Sequence, residues 1–133
     1  MASVNPASVT RVLLVAAGGT LGTAARLALG FVIPDAAGLP LSILVANVAG
    51  SFLLGVLAAR LPASSGVRLF LGTGLLGGFT TYSAFTVGII ELGGAAPWLA
   101  AGYAVVSVAI GIGAAVLGLW LGRSRQAPGG GAA

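Results

Sequence analysis

Apolar residues fill four long stretches of the chain, and polar or turn-forming residues are concentrated between them. The stretches cover residues 12–33, 41–60, 67–90 and 98–121. Each has about 20 residues or more, which at a rise of ~1.5 Å per residue is enough to cross the hydrocarbon core of a bilayer. The pattern therefore predicts an all-α integral membrane protein with four transmembrane helices.

The connections between these stretches are short and rich in Pro, Gly, Ser and Ala. We expect residues 11–122 to form one four-span membrane domain, with a flexible N-terminus over residues 1–10 and a disordered tail over residues 123–133. The first stretch could instead be a cleaved signal peptide. Arg26 inside the stretch, and an apolar length beyond the usual ~7–15 residues, favour a membrane span.

Charged residues are scarce. The 133 residues are 58% hydrophobic and 6% charged, with a mean hydropathy of +1.12, whereas soluble domains carry roughly 25% charged residues. The sequence has no His or Cys, and its two acids are Asp35 and Glu91, which leaves little for metal ligation, thiol chemistry or acid–base catalysis. We therefore expect the protein not to be an enzyme and, because its arginines are scattered, not to bind nucleic acid.

The arginines indicate orientation. In a four-span protein the N-terminus, the second connection and the C-terminus lie on one side, and that side holds five arginines: Arg11, Arg60, Arg68, Arg123 and Arg125. The opposite side holds Asp35 and Glu91. By the positive-inside rule, we expect both termini in the cytoplasm.

Small residues recur at four-residue spacing within the stretches. The pairs are Gly18 and Gly22, Ala46 and Gly50, Ser51 and Gly55, Gly74 and Gly78, and Gly118 and Gly122. This spacing places small residues on one helix face and lets neighbouring backbones approach closely. It predicts a tight helical bundle or a dimer.

The third stretch contains a motif that interrupts a helix. Gly77 and Gly78 are followed by Thr80 and Thr81, and unwound backbone inside a membrane is tolerated only beside protein groups or a water-filled cavity. The motif predicts that the third helix unwinds over residues 77–81 and that a functional site lies there.

Two of the polar residues within the spans stand out. Asn47 lies near the middle of the second stretch, so its amide must pair with another helix, with water or with a substrate. An interhelical hydrogen bond and donation to a small anion are both open alternatives. Arg26 lies near the end of the first stretch, where it either extends to the interface or gives a water-filled vestibule a positive potential.

Aromatic and hydroxyl residues align on two other helix faces. Tyr82 and Phe85 are three residues apart after the break, and their rings either pack together or turn their positive edges towards an anion. Tyr103 and Ser107 are one turn apart and form either a hydrated track or two internally satisfied hydroxyls. The sequence leaves these alternatives open.

Three motifs occur in a specific order along the chain. They are Gly18-Gly19 with Gly22 and Arg26, the sequence NVAGSFLLG that begins at Asn47, and the sequence GGFTTYSAF that begins at Gly77. Together with the four spans they resemble the Fluc or CrcB family of small bacterial fluoride channels over essentially the whole chain. The resemblance implies an antiparallel dimer with two narrow pores and a structural sodium ion (Na+) at its interface. It also implies a location in the cell inner (plasma) membrane and export of cytoplasmic fluoride, which relieves fluoride toxicity.

The same resemblance implies roles for individual residues. The backbone carbonyls of Gly77 and Thr80 would bind sodium, a hard cation that oxygen ligands suit. Arg26 would belong to the vestibule. Five residues would line the fluoride pore: Asn47, Tyr82, Phe85, Tyr103 and Ser107.

The sequence departs from the family pattern at three positions. Tyr82 replaces a common phenylalanine, Gly88 stands where a glutamate is frequent, and Gly111 shortens the hydroxyl track after Ser107. The arginine bias also argues against insertion of one chain in both orientations. We therefore hypothesise a sibling subunit of opposite orientation as the partner in the antiparallel dimer, with a homodimer as the alternative.

Two other functions are kept as alternatives. A small four-span multidrug transporter has a similar size, but proton coupling needs a carboxylate within the membrane. The first stretch has none, and Glu91 lies at the end of a span. A non-conducting structural subunit would use its polar residues only to hold helices together.

Overall fold

The structure is a computed structural model that describes residues 5–124, and helices account for nearly all of this range. The elements are α1 (Pro6–Val32), α2 (Leu41–Arg60), α3 (Gly66–Arg68), a π-helical segment (Leu69–Leu76), α4 (Gly77–Phe79), α5 (Tyr82–Ala95) and α6 (Pro97–Ser124). Four stretches are long and apolar enough to cross a membrane: α1, α2, residues Gly66–Ala95 and most of α6. The predicted all-α fold with four spans and an interrupted third helix is confirmed. We refer to Gly66–Ala95 as the broken span.

Helix α1 begins earlier than the apolar pattern predicts. The Asn5 side chain accepts a hydrogen bond from the Ala7 backbone N–H at 3.0 Å, and Pro6 occupies the first helical position. An Asn cap followed by proline is a strong helix start, because the cap satisfies a free N–H and proline has none to satisfy. Residues 6–10 of the predicted flexible N-terminus are therefore helical.

The connection between α1 and α2 reverses the chain through two left-handed residues. Ala37 has φ 53° and Gly38 has φ 76°, and Ala36 and Leu39 exchange two backbone hydrogen bonds of 3.3 and 2.9 Å. This tight turn delivers Pro40 to the start of α2. Pro40 is buried, and its position matters for the site described below.

Glycine seams hold the helices together in two pairs. Helix α1 packs on the π-helical segment and α4, where a Cβ at Gly22 would lie 2.8 Å from the Phe79 nitrogen. Helix α2 packs along α6, where a Cβ at Gly55 would lie 2.9 Å from the Leu119 nitrogen. Since Cβ atoms essentially never approach backbone this closely, glycine is required at these crossings. The small-residue pairs are therefore packing positions.

The break in the broken span is shorter than the sequence predicts. Gly77–Phe79 keeps helical geometry, and only Thr80 (φ −77°, ψ 156°) and Thr81 (φ −152°, ψ 127°) are extended. The predicted unwinding over residues 77–81 is thus wrong for its first three residues. Before the break, the π-helical segment has wider turns than an α-helix, a feature that is frequent at functional sites.

The last connection is also shorter than predicted. Helix α5 continues to Ala95, and Ala96 alone separates it from α6, which begins at Pro97. Ala96 has φ −148° because the residue before a proline is excluded from helical geometry. At the other end α6 extends to Ser124, so the first two residues of the predicted tail over residues 123–133 are helical. The rest of the predicted tail, from Arg125 onward, lies outside the described residues.

Candidate functional site

The extended residues of the break are held by one side chain from α2. The Asn47 side chain donates from Nδ2 to the Thr81 carbonyl at 3.0 Å and accepts at Oδ1 from the Thr81 N–H at 2.8 Å. This pair of bonds satisfies both backbone groups of Thr81, much as a neighbouring strand would. Of the alternatives for Asn47, the interhelical hydrogen bond is therefore present, and one Nδ2 hydrogen is left over.

The two threonine hydroxyls complete the break. Thr80 Oγ1 donates to the Leu76 carbonyl at 2.9 Å, at the end of the first half of the span. Thr81 Oγ1 accepts from the Ala84 N–H at 3.2 Å and caps α5. The Thr81 hydroxyl thus satisfies an N–H that the interruption leaves without a helical partner. The Thr80 hydroxyl adds a second hydrogen bond to a carbonyl that already accepts from the Thr80 N–H at 2.9 Å.

Arg26 lies on the α1 side of the break. Its Nε is 3.5 Å from the Gly78 carbonyl, and Thr23 Oγ1 is 3.4 Å from the same oxygen. This carbonyl belongs to the C-terminal end of a helical segment, which carries partial negative charge, so a cation is favourable there. Both Arg26 and Thr23 are half-buried.

A cleft of about 470 Å³ lies on the opposite side of the break, between α2, the broken span and α6. Its lining includes six of the eight residues assigned to the site from sequence: Asn47, Gly77, Thr80, Tyr82, Phe85 and Ser107. No acidic residue lines the cleft. The structure therefore gathers most of the predicted site around one uncharged cavity.

Three aromatic rings form a row beside the cleft. The Tyr82 and Phe85 ring centroids are 6.3 Å apart, and those of Phe85 and Tyr103 are 5.9 Å apart, with tilted planes in both pairs. These distances are typical of favourable aromatic contacts. Tyr82 is 81% exposed whereas Tyr103 is 7% exposed, so the row runs from the open surface into the bundle, with Phe85 in the middle.

Tyr103 and Ser107 have different surroundings although they are one turn apart. The Tyr103 hydroxyl donates to the Pro40 carbonyl at 3.2 Å, and Tyr103 packs behind Phe85 without lining the cleft. Ser107 does line the cleft, and its Oγ is buried without a hydrogen-bond partner among the described residues. Leaving a buried hydroxyl unpaired is unfavourable, so Ser107 Oγ is a candidate binding group of the cleft.

Two backbone carbonyls at the break also lack partners. Among residues 5–124, no N–H or O–H donates to the carbonyls of Gly77 and Thr80, and both residues line the cleft. Neutral oxygen atoms of this kind are suitable ligands for a hard cation such as sodium. The chemistry of these two oxygen atoms therefore fits the predicted cation.

Sequence reasoning missed two residues that position the site. Thr23 is three residues before Arg26, a spacing that places both on the same face of α1 and could have indicated the shared contact with Gly78. The second is Pro40, whose carbonyl accepts the hydrogen bond from the Tyr103 hydroxyl. Pro40 also packs on Gly88, where a Cβ would lie 2.8 Å from Pro40 Cγ. This contact gives a physical reason for glycine at position 88, because a larger side chain would displace Pro40.

Comparison with known proteins identifies the family of this chain. The chain matches the family model described as CrcB-like protein, Camphor Resistance (CrcB), over residues 13–119. The fluoride-specific ion channel FluC of Hyphomonas neptunium is 43% identical over 121 residues, which cover 84% of this chain and 94% of that protein. FluC 2 of Leifsonia xyli is 45% identical over 122 residues, which cover 84% and 83% of the two chains.

A third relative extends the same finding. FluC 1 of Mycobacterium tuberculosis, also named a fluoride-specific ion channel, is 47% identical over 102 residues, covering 72% of this chain and 77% of that protein. These relatives are ion channels, so the prediction that the chain is not an enzyme is confirmed. By the family model and by its relatives, the chain belongs to the CrcB family.

Proposed function

We propose that the protein is a fluoride channel that exports fluoride from the cytoplasm. The observation that carries the proposal is the convergence of unpaired hydrogen-bond donors with an aromatic ring in a cleft without acidic residues. Fluoride is strongly hydrated, so a pore must replace its water with donors yet bind it weakly enough to release it. Uncharged donors meet both demands better than a fixed positive charge would.

Each polar residue of the cleft has a part in this proposal. The second Nδ2 hydrogen of Asn47 donates to the ion, while the first holds the break. Ser107 Oγ supplies a further donor, and Phe85 presents the positive edge of its ring. Tyr103 contributes by fixing the position of Phe85, because its own hydroxyl donates to Pro40. Tyr82 stands at the entrance, where its exposed hydroxyl can also donate.

The proposed functional unit is an antiparallel dimer. The cleft is open, and Gly77 and Tyr82 are exposed on its rim, so a second subunit is needed to close a pathway through the bilayer. Unpaired backbone carbonyls facing lipid would be costly, and a facing subunit would remove them from lipid.

We further propose that the dimer interface holds a structural sodium ion. The carbonyls of Gly77 and Thr80 would be its ligands from this chain, and the same pair from a facing copy would give four oxygens. The ion would neutralise the carbonyl dipoles that the break leaves without donors.

Arg26 is proposed to line a vestibule that attracts anions. Its charge lies near the break and next to the Gly78 carbonyl, where its positive potential can raise the local anion concentration. An inside-negative membrane potential drives each anion outwards by about 2.3 kcal/mol per 100 mV. A passive channel in the inner membrane therefore exports fluoride without a coupled ion.

Orientation and partner follow from the arginine distribution. Four arginines, Arg11, Arg60, Arg68 and Arg123, belong to the ends of helices that share one side of the bundle. We propose that both termini are cytoplasmic and that the dimer forms with an oppositely oriented sibling subunit. Reporter fusions at the C-terminus test this: activity of a cytoplasmic reporter alone supports it, and equal signals from both sides contradict it in favour of a homodimer.

The transporter alternative is less well supported. Coupling protons to a cationic drug requires a titratable acid at the binding site, and the cleft lining includes none. Glu91 is exposed near the end of α5, away from the cleft.

Ion efflux from liposomes tests the proposed function. The purified chain, alone and then with a candidate sibling subunit, is reconstituted with internal potassium fluoride or potassium chloride, and efflux is followed after addition of valinomycin. We expect fluoride efflux with chloride retained. Absence of fluoride efflux in both preparations, or equal efflux of the two anions, would contradict the proposal. Efflux only with the sibling would support an obligatory heterodimer.

A further inference from the structure

A second groove lies at the end of the bundle that holds most of the arginines. It has a volume of about 770 Å³ and lies between the first turns of α1 and the segment that joins α2 to the broken span. Thr10 and Arg11 line it from α1, and Ser64 and Ser65 line it from the connecting segment. Both walls are therefore polar at the same level, and Arg11 makes this level positively charged.

The inner part of the same groove is apolar. Along α1 the lining continues from Arg11 to Leu14 and Val15, roughly 4.5–6 Å further along the helix axis, and Leu69 faces them from the broken span. Beyond these residues the two helices come together, since a Cβ at Gly18 would lie 3.0 Å from the Gly74 Cα. The groove is thus polar at the membrane surface, apolar towards the membrane interior and closed at its inner end.

The polar groups of this groove are available to an anion. Arg11 is exposed and makes no hydrogen bond or ion pair with another residue of the described range. Ser65 Oγ accepts a bond from the Arg68 N–H at 3.1 Å, which leaves its own hydroxyl hydrogen free to donate. Arg68 itself is engaged, since its Nη1 donates to the Leu61 carbonyl at 3.0 Å. No acid lines the groove, so nothing there neutralises Arg11.

We propose that this groove binds an anionic phospholipid. The phosphate lies at Arg11 and the neighbouring hydroxyls, and an acyl chain follows Leu14, Val15 and Leu69 towards the membrane interior. Basic pockets between transmembrane helices suit anionic headgroups. A free phosphate ion would use the polar level alone, whereas the apolar wall below it matches a lipid tail. The site is separate from the cleft at the break and does not depend on ion conduction.

Native mass spectrometry of the full chain tests the proposal. The purified protein is mixed with phosphatidylglycerol or with phosphatidylcholine of the same acyl composition, and lipid retention is measured. We expect retention of phosphatidylglycerol over phosphatidylcholine. Arg11→Gln should lower phosphatidylglycerol retention roughly fivefold, the effect of one basic residue at a membrane surface. Arg123→Gln makes the same charge change at an exposed position outside the groove and should leave retention unchanged.

A second variant tests the shape of the groove without altering charge. Ala63 lines the groove from an exposed position in the connection, so Ala63→Phe should fill it, lower retention and keep the helical circular dichroism spectrum. If Arg11→Gln does not fold, this variant decides the question. The proposal would be overturned if the two lipids were retained equally, or if Arg11→Gln and Arg123→Gln lost the same amount of lipid. It would also be overturned if excess inorganic phosphate displaced the lipid.

Discussion

The two halves of the broken span have opposite surroundings although they are consecutive in sequence. Before the break, the π-helical segment and α4 pack so closely on α1 that Gly78 has no room for a side chain and Gly74 has very little. After the break, α5 carries Tyr82 on the open surface and Phe85 beside the cleft. The first half mainly packs on α1, and its last turn brings the Gly77 carbonyl to the cleft. The second half carries the aromatic side chains that can meet an ion or a partner.

The adjacent glycines of the break show the same contrast at single-residue scale. A Cβ at Gly78 would lie 3.0 Å from the Gly19 Cα and nearer still to the Gly19 carbonyl oxygen. A Cβ at Gly77 would meet only the Gly72 oxygen, at 3.9 Å, and Gly77 lines the cleft. The two glycines are adjacent in the sequence but differ in the fold, since Gly78 allows close packing on α1 and Gly77 lines the cleft.

The largest effect is expected from exchanging these glycines for alanine. Gly78→Ala forces α1 and α4 apart and should lower the free energy of unfolding by about 1–3 kcal/mol or prevent folding, because the colliding atoms are backbone. Gly77→Ala should be close to neutral for folding. Thermal unfolding followed by circular dichroism and size-exclusion chromatography in detergent measures both. Similar behaviour of the two variants would remove the distinction between the glycines.

Removing the side chain that holds the break is expected to have the next largest effect. Asn47→Ala leaves the N–H and the carbonyl of Thr81 without partners, at a cost of about 1–3 kcal/mol for each group that water cannot reach. Hydrogen–deuterium exchange should become faster at the Thr81 amide. Ser51→Ala is the matched control, since Ser51 lines the same cleft and makes no bond to the break. Unchanged exchange in Asn47→Ala would contradict the role given to this amide.

The smallest effect concerns the two tyrosines at the ends of the aromatic row. Tyr103→Phe removes the hydroxyl that donates to Pro40 and should lower the free energy of unfolding by about 0.5–1.5 kcal/mol. Tyr82→Phe removes a hydroxyl from a ring that is 81% exposed and should change stability by less than about 0.5 kcal/mol. Thermal unfolding of the pair distinguishes them. A larger loss in Tyr82→Phe would mean that the open end of the row is structural.

The sequence was sufficient for the spans and for the location of the break. Long apolar stretches need only length and hydropathy to be identified, and the bounds of α2, Leu41–Arg60, agree with those predicted. The glycine and threonine pairs located the break because both residue types disfavour continuous helix. Its extent was not predictable from these pairs, since Gly77–Phe79 remains helical against α1 and Thr81 is extended where Asn47 binds it.

Other features depend on contacts that a linear pattern does not contain. The π-helical segment, Leu69–Leu76, has no distinctive composition, and it packs closely on α1. The different environments of Tyr103 and Ser107 depend on Pro40, which is distant in sequence. From the sequence alone, the Tyr103 and Ser107 hydroxyls could equally have been hydrogen-bonded within the protein. Only the position of Pro40 shows that the Tyr103 hydroxyl donates to its carbonyl, while Ser107 Oγ is left without a partner among the described residues.

Fluoride efflux through Phe85→Ile is the most direct test of the division between the two halves of the broken span. Phe85 lies between the other two rings, so isoleucine should keep apolar packing and remove the ring edge. We predict that fluoride efflux is lost while the thermal unfolding temperature and elution volume stay close to those of the unmodified protein. Phe31→Ile, at a position 91% exposed on α1, should conduct normally. Unchanged efflux in Phe85→Ile would contradict the account.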